Sequence, residues 1–186
     1  MLEQFTLTIH MVASLDGMIA KKDNSISWFE TTDYYEQGIE LSNQKAAEFL
    51  KTIDCYIMGA RTYELALELS LEHGWPYGDV PTIVLTHQNF TVQRPNVKLY
   101  SGDIHTLVNS HLKEKYKNVW LVGGPTIVKE FLSQKLVHEI RLSILPIILG
   151  DGYPFFKQIE KEFELHLKEA IAFKNGVVSL CYKVKI

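Results

Sequence analysis

Apolar and polar residues alternate near the start of the chain, with Phe5, Leu7, Ile9 and Met11 set against Thr6, Thr8 and His10. A period of two predicts a strand with one buried face. The strand runs into Ser14-Leu15-Asp16-Gly17, whose Asp-Gly pair predicts a turn. The pattern over 28–50 is mixed and predicts a mostly helical stretch from Asp33 onward, with Phe49 and Leu50 on its buried side. Residues 54–60, DCYIMGA, read as a short buried strand, and 61–72 as a helix turning Leu65, Leu69 and Leu71 inward. Pro76, Gly78 and Pro81 mark a loop, TIVLT at 82–86 a buried strand, and Val97–Tyr100 a shorter one. Asp103 is placed to N-cap a helix carrying Leu107, Val108 and Leu112. A strand at 118–122 leads into Gly123-Gly124-Pro125 and a helix with Ile127, Val128, Phe131 and Leu132 on one face. Pro125 suits the first helical position, where its missing N–H costs nothing. The apolar run at 139–149 predicts a strand interrupted or bent at Pro146, and Gly150-Asp151-Gly152 a loop. Finally, 171–173 and an alternating strand from Val178 to Ile186 flank Lys174-Asn175-Gly176, a strong hairpin signal.

Strands alternating with helices predict an α/β three-layer domain with a largely parallel sheet, helices on both faces and an antiparallel C-terminal hairpin. Ligands of such sheets bind outside the carboxyl ends of the strands. A length of 186 residues predicts a single domain spanning 1–186, large enough to bury a core without disulfide or metal staples. Lys plus Arg number 19 and Asp plus Glu 22, so the net charge is −3, which argues against a nucleic-acid-coating protein. The N-terminus lacks the basic flank of a signal peptide, and no apolar stretch approaches the ~20 residues of a membrane span. Cys55 and Cys181 lie in strand-like segments and read as two buried thiols. Together these features predict a cytoplasmic location.

Three junctions carry candidate chemistry. In Trp120-Leu121-Val122-Gly123-Gly124-Pro125-Thr126 a strand runs into two glycines and a helix start, where free N–H groups and the helix dipole favour a phosphate. The same glycines could serve only a tight turn. Neither the G-x-G-x-x-G dinucleotide fingerprint nor the G-K-[ST] of a P-loop is present. In Met58-Gly59-Ala60-Arg61-Thr62-Tyr63, Arg61 offers a guanidinium fork to a phosphate and Thr62 a hydroxyl, or else a solvated cation and a cap. Thr86 closes TIVLT with a hydroxyl that could bind ribose or phosphate, or simply satisfy its own loop. Parallel strands would bring all three junctions to one sheet edge, forming a cradle for a multiply phosphorylated ligand such as a dinucleotide.

In this order, MVASLDGMIA, DCYIMGARTYE, TIVLT, VWLVGGPTIVKEFL and LVHEIRLSILPIILGDGYPFF resemble the riboflavin-biosynthesis reductase family. This is the reductase domain found at the C-terminus of bifunctional riboflavin deaminase–reductases, related to dihydrofolate reductase. The resemblance covers nearly the whole chain. It implies a dihydrofolate reductase-like fold, NADPH as cofactor and a homodimer. By match, Gly123, Gly124, Pro125 and Thr126 would lie against the pyrophosphate and nicotinamide half of NADPH. Gly59, Arg61, Thr62 and Thr86 would hold the adenosine phosphate half. Many relatives carry Arg directly after the Gly of M-G, where this chain has Ala60, so Arg61 would have to serve from the next position. The zinc deaminase half is missing, since no H-x-E with P-C-x-x-C is present.

The reaction implied is reduction of a ribosylamino group on a phosphorylated pyrimidine. Asp16 is the first candidate for substrate contact and catalysis, with Ser14 beside it; the alternative is an Asp-Gly turn former. Asp33 follows Trp28 by five residues, a spacing similar to that of the pterin-gripping carboxylate in dihydrofolate reductase. It is equally placed to cap a helix, with Glu36 three residues on. Trp28 is a candidate pocket wall or a core residue. The Gly150-Asp151-Gly152 loop either closes over ligand or only turns the chain. No metal site is expected, because no His pair has H-E-x-x-H spacing and no cysteine pair accompanies the histidines. No G-x-S-x-G elbow supports a serine nucleophile. Two other functions share the pattern, a pterin-type reductase of the same fold and a nucleotide-binding protein without turnover.

Overall fold

A computed structural model describes residues 5–25, 27–40 and 42–185. Met1 to Gln4, within the N-terminal expectation, and Ile186, the last expected strand residue, lie outside them. Among the described residues ten strands form: β1 Thr6–Ser14, β2 Met18–Ala20, β3 Cys55–Gly59, β4 Thr82–Leu85, β5 Val97–Tyr100, β6 Asn118–Gly123, β7 Glu139–Leu145, β8 Tyr153–Pro154, β9 Leu165–Ala172 and β10 Val178–Val184. The helices are α1 Asn43–Leu50, α2 Ala60–His73, α3 Ile104–Thr106 and α4 Pro125–Ser133. Eight strands make one sheet in the order β5-β4-β3-β6-β1-β7-β10-β9, and β2 and β8 pair separately. From β5 to β7 every pairing is parallel; β10 runs antiparallel to β7, and β9 antiparallel to β10.

This is the α/β three-layer arrangement that the alternation predicts, and it agrees with the dihydrofolate reductase-like fold that the resemblance implies. One face of the sheet buries Leu7, Ile9, Ile57 and Leu121 against the segment after Asp103 and against Val128, Phe131 and Leu132 of α4. The opposite face buries Tyr56, Met58 and Val84 against Tyr63 of α2, with Phe49 of α1 packed alongside. β3 is buried along its whole length because both its neighbours and both layers cover it. β10 is paired on both sides and is not an edge; β9 holds that place.

Three local expectations are corrected. No helix begins at Asp33; α1 starts at Asn43. The preceding segment pairs instead with the C-terminal hairpin, where Tyr35 N donates to Lys174 O and Ile39 N to Ala172 O. Gly38 lies so close to the hairpin backbone that an added Cβ would stand 2.5 Å from Lys174 N. Leu50 faces solvent, whereas Phe49 is half-buried. In α2, Leu71 is 87% exposed, and Tyr63 and Ala66 take the inner stripe because the Tyr63 ring meets Trp75 and Phe90. β7 is interrupted at Pro146, as the proline leads one to expect, and ends at Leu145.

Asp103 caps as expected, its carboxylate accepting from Thr106 N at 2.7 Å. The helix it starts soon widens, and Leu107–Leu112 is a π-helical turn.

Candidate functional site

The carboxyl ends of β3, β4 and β6 finish on one rim. Gly59 stands in register with Leu85, and Met58 with Gly123. Beyond this rim lies a cavity of about 660 Å³. Gly59, Arg61, Thr62, Gly124, Pro125 and Thr126 all line it, so six expected coenzyme residues meet at one place. Gly123 immediately precedes the lining, and its peptide bond to Gly124 is cis. Thr86 follows the lining residue Leu85, and its hydroxyl accepts from Gln88 N at 3.0 Å, which satisfies its own loop.

Two helices begin at this cavity. α2 has Gly59 and α4 has Gly124 at the N-cap, and neither cap supplies a side-chain hydrogen bond to the first turn. α2 therefore presents first-turn amide hydrogens without a side-chain cap, whereas α4, which opens on Pro125 and has Ile127 N donating to Gly124 O, offers the Thr126 amide; both turn the positive ends of their dipoles toward the rim. Glycine is suited to each junction for a steric reason. A Cβ on Gly59 would meet Ile127 Cδ1 at 2.7 Å, and one on Gly123, held at φ +114°, would meet Met11 Cε at 3.1 Å.

The opposite wall is built by β2 and β8, with Ala20, Asn24, Tyr153 and Lys157. Arg61 reaches across and donates from Nη2 to the Tyr153 hydroxyl at 3.1 Å, its guanidinium 5.0 Å from the ring centroid. Lys157 Nζ stands 3.5 Å from Thr126 Oγ1. No lining residue is acidic. Two uncapped helix starts, two cations and two threonine hydroxyls in a cavity free of carboxylates suit a polyanion.

Asn24, Tyr153 and Lys157 escape sequence reasoning. The only local cue is that Tyr153 directly follows the turn signal Gly150-Asp151-Gly152; Asn24 adopts φ +61°.

The candidate substrate residues sit elsewhere. Ser14 is buried at the end of β1, opposite Leu145 of β7. Its hydroxyl donates to Asp16 Oδ1 at 2.5 Å and accepts from Met18 N at 2.9 Å. Asp16 also accepts from Leu149 N at 3.1 Å and Gly150 N at 2.8 Å. The Ser14 hydroxyl first, and these amides after it, bring the Asp16 carboxyl down to about 2. Asp16 thus ties the β1–β2 turn to the 149–150 loop, the two strands of chain that lead into the outer cavity wall. Trp28 is buried with Leu145 and Val177. Asp33 lies against the hairpin turn, where a Cβ on Gly176 would collide with its carboxylate. None of these four residues lines the cavity.

Cys55 and Cys181 are free and buried. Among the described residues, no group of three His, Cys, Asp or Glu is placed to hold a metal ion, and no helix is long and apolar enough to cross a membrane.

This architecture and rim define a class that comparison with known proteins names. Residues 5–179 match the RibD C-terminal domain, and the chain belongs to that family. It is 30% identical over 169 residues to the uncharacterized protein YwjB of Bacillus subtilis (strain 168), covering 91% of this chain and 92% of that one. In fold it matches a protein named for riboflavin biosynthesis from Shewanella sp. PV-4, with a TM-score of 0.81 at 21% identity over 98% of this chain and all of the other. It also matches a diaminohydroxyphosphoribosylaminopyrimidine deaminase/5-amino-6-(5-phosphoribosylamino)uracil reductase of Thermotoga maritima, with a TM-score of 0.69 at 14% identity. That match covers 98% of this chain and 57% of the longer protein.

Proposed function

We propose that the chain is an NADPH-dependent reductase acting on a small ribosylamino-pyrimidine phosphate. The observation that carries this reading is the meeting of two uncapped helix starts with Arg61 and Lys157 around one acid-free cavity. The backbone at the start of α4, with Gly124 and Thr126, would hold the pyrophosphate. Arg61, Thr62 and the end of β4 would hold the adenosine phosphate. A bare glycine rim lets a planar ring lie close to the backbone. Bound NADPH supplies the hydride. The protein's part is to orient the ligands, exclude water and keep the outer wall in place. Asp16 serves there as a positioning residue, and the proposal assigns no step to Asp33. The working molecule is taken to be a homodimer, which light scattering can check.

A thermal-shift comparison tests the coenzyme. Ligand at a hundredfold excess over Kd adds about 2.7 kcal/mol to stability. NADPH is expected to raise Tm by more than NADH does, and a shift from neither would overturn the reading. Oxidation of NADPH is then followed with the ribosylamino-pyrimidine phosphate. Tight NADPH binding with no turnover on that compound would leave the coenzyme assignment standing and remove the substrate.

A further inference from the structure

β4 projects Ile83 and Leu85 onto the same face of the sheet. Leu85 belongs to the wall of the coenzyme cavity; two residues back, Ile83 lines a second cavity of about 360 Å³. The second cavity lies between edge strand β5 and the π-helical turn. The Lys113 amide donates to Val108 O, five residues back, and this wider turn brings both Leu107 and Leu112 into the core. With Ile83 they form an apolar floor, and Tyr100 and Tyr116 supply aromatic walls. Lys98, His111 and Lys115 stand exposed around it. No lining residue is acidic, and among the described residues neither lysine is ion-paired with a carboxylate.

Three basic groups around one hollow are notable in a chain of net charge −3. Nothing on the lining offsets them, while the floor and the tyrosine rings offer contact to an apolar or aromatic body. π-Helical turns are frequent at functional sites, and a cavity of this size falls within the range of small-molecule pockets. We propose that this cavity is a second ligand site, taking a small aromatic phosphate or carboxylate whose ring lies on Ile83, Leu107 and Leu112 and whose charge meets Lys98 and Lys115. The proposal does not depend on the coenzyme reading, because the two cavities share no lining residue.

The test is a titration of the full chain with phenyl phosphate, followed residue by residue from amide chemical shifts. Saturable shifts are expected at Lys98 to Tyr100 and at Leu107 to Tyr116. Phenol and inorganic phosphate are each expected to bind about tenfold more weakly, since each lacks one half of the recognition. The Lys98→Ala/Lys115→Ala double variant, altered only at exposed positions, is expected to weaken phenyl phosphate about tenfold while keeping its NADPH-induced thermal shift. Saturating NADPH should not displace the probe. Shifts centred on Arg61, Gly124 and Lys157, inorganic phosphate binding as well as phenyl phosphate, or an unchanged Kd in the double variant would each overturn the proposal.

Discussion

His10 lies mid-strand in β1, its ring stacked on Trp120 at 4.7 Å and edge-on to Phe49 at 5.3 Å. Burial first, and the Arg141 charge second, bring its pKa from 6.5 down to about 4. Between these values the unfolded chain takes up a proton that the folded chain refuses, so stability falls as pH drops through that window. The loss amounts to about 3 kcal/mol across it. Urea unfolding at pH 4.5 and 7 measures it, and His10→Phe is expected to flatten the dependence. A slope unchanged in the variant would move the effect to another group. Asp16 acts in the same direction lower on the scale. Its stabilisation is present above the ordinary carboxylate value of 3.8 and is lost as pH falls toward about 2. Asp16→Asn is therefore expected to lower Tm at pH 7, with the gap to the parent closing as the pH is taken below 4. Equal Tm values at pH 7 would show that the turn holds without the carboxylate. Burial also pushes the Cys55 thiol up to about 12 and raises that of Cys181. Neither thiol should react with a disulfide reagent at pH 8 until denaturant is added.

At the scale of elements, the strand-to-helix junctions set the site. Gly123 holds φ +114° at the end of β6, a conformation that costs a side-chain-bearing residue about 1–3 kcal/mol. Gly123→Ala is expected to lose that much in chemical denaturation, since the Met11 methyl must also give way. A change below about 0.5 kcal/mol would mean the junction relaxes freely. At the start of α2, Arg61 lines the cavity and in the proposed reading would be the cation that recognises an extra phosphate. Arg61→Ala is expected to weaken NADPH about tenfold by calorimetry while leaving NADH nearly unchanged. Equal losses for both coenzymes would place Arg61 on the shared pyrophosphate instead. α4 is anchored by Phe131, which has no exposed surface, and Phe131→Ala should cost about 3–5 kcal/mol.

Across the whole molecule, the sheet order brings distant segments to one rim. β6 lies between β3 and β1, although more than fifty residues separate it from β3 and more than a hundred from β1. Most of the elements were legible in the sequence. Val97–Tyr100, the β6–α4 junction, the Asp103 cap and the Asn175-Gly176 hairpin turn all stand where the pattern put them. Six of the eight expected coenzyme residues line one cavity because each sits at a strand end that its own local pattern announces. The two main misses, the 31–40 segment and the far wall of the cavity, share one cause. Residues 31–40 looked able to start a helix, but their backbone groups pair with a hairpin more than 130 residues away. Tyr153 and Lys157 carry no local sign of function; they reach the cavity because β8 pairs with β2 and draws the following chain across the rim.

The sequence by itself determined the alternation of strand and helix, the parallel core with its closing hairpin, and the glycine-led junctions. Those features depend on side-chain period, proline and glycine geometry and capping within a few residues. Only the tertiary structure decided which carboxylates brace the chain, which cations face an open cavity, and that a second basic hollow lies beneath a π-helical turn. Those outcomes depend on the packing of segments far apart in sequence, whose neighbours a local pattern does not contain.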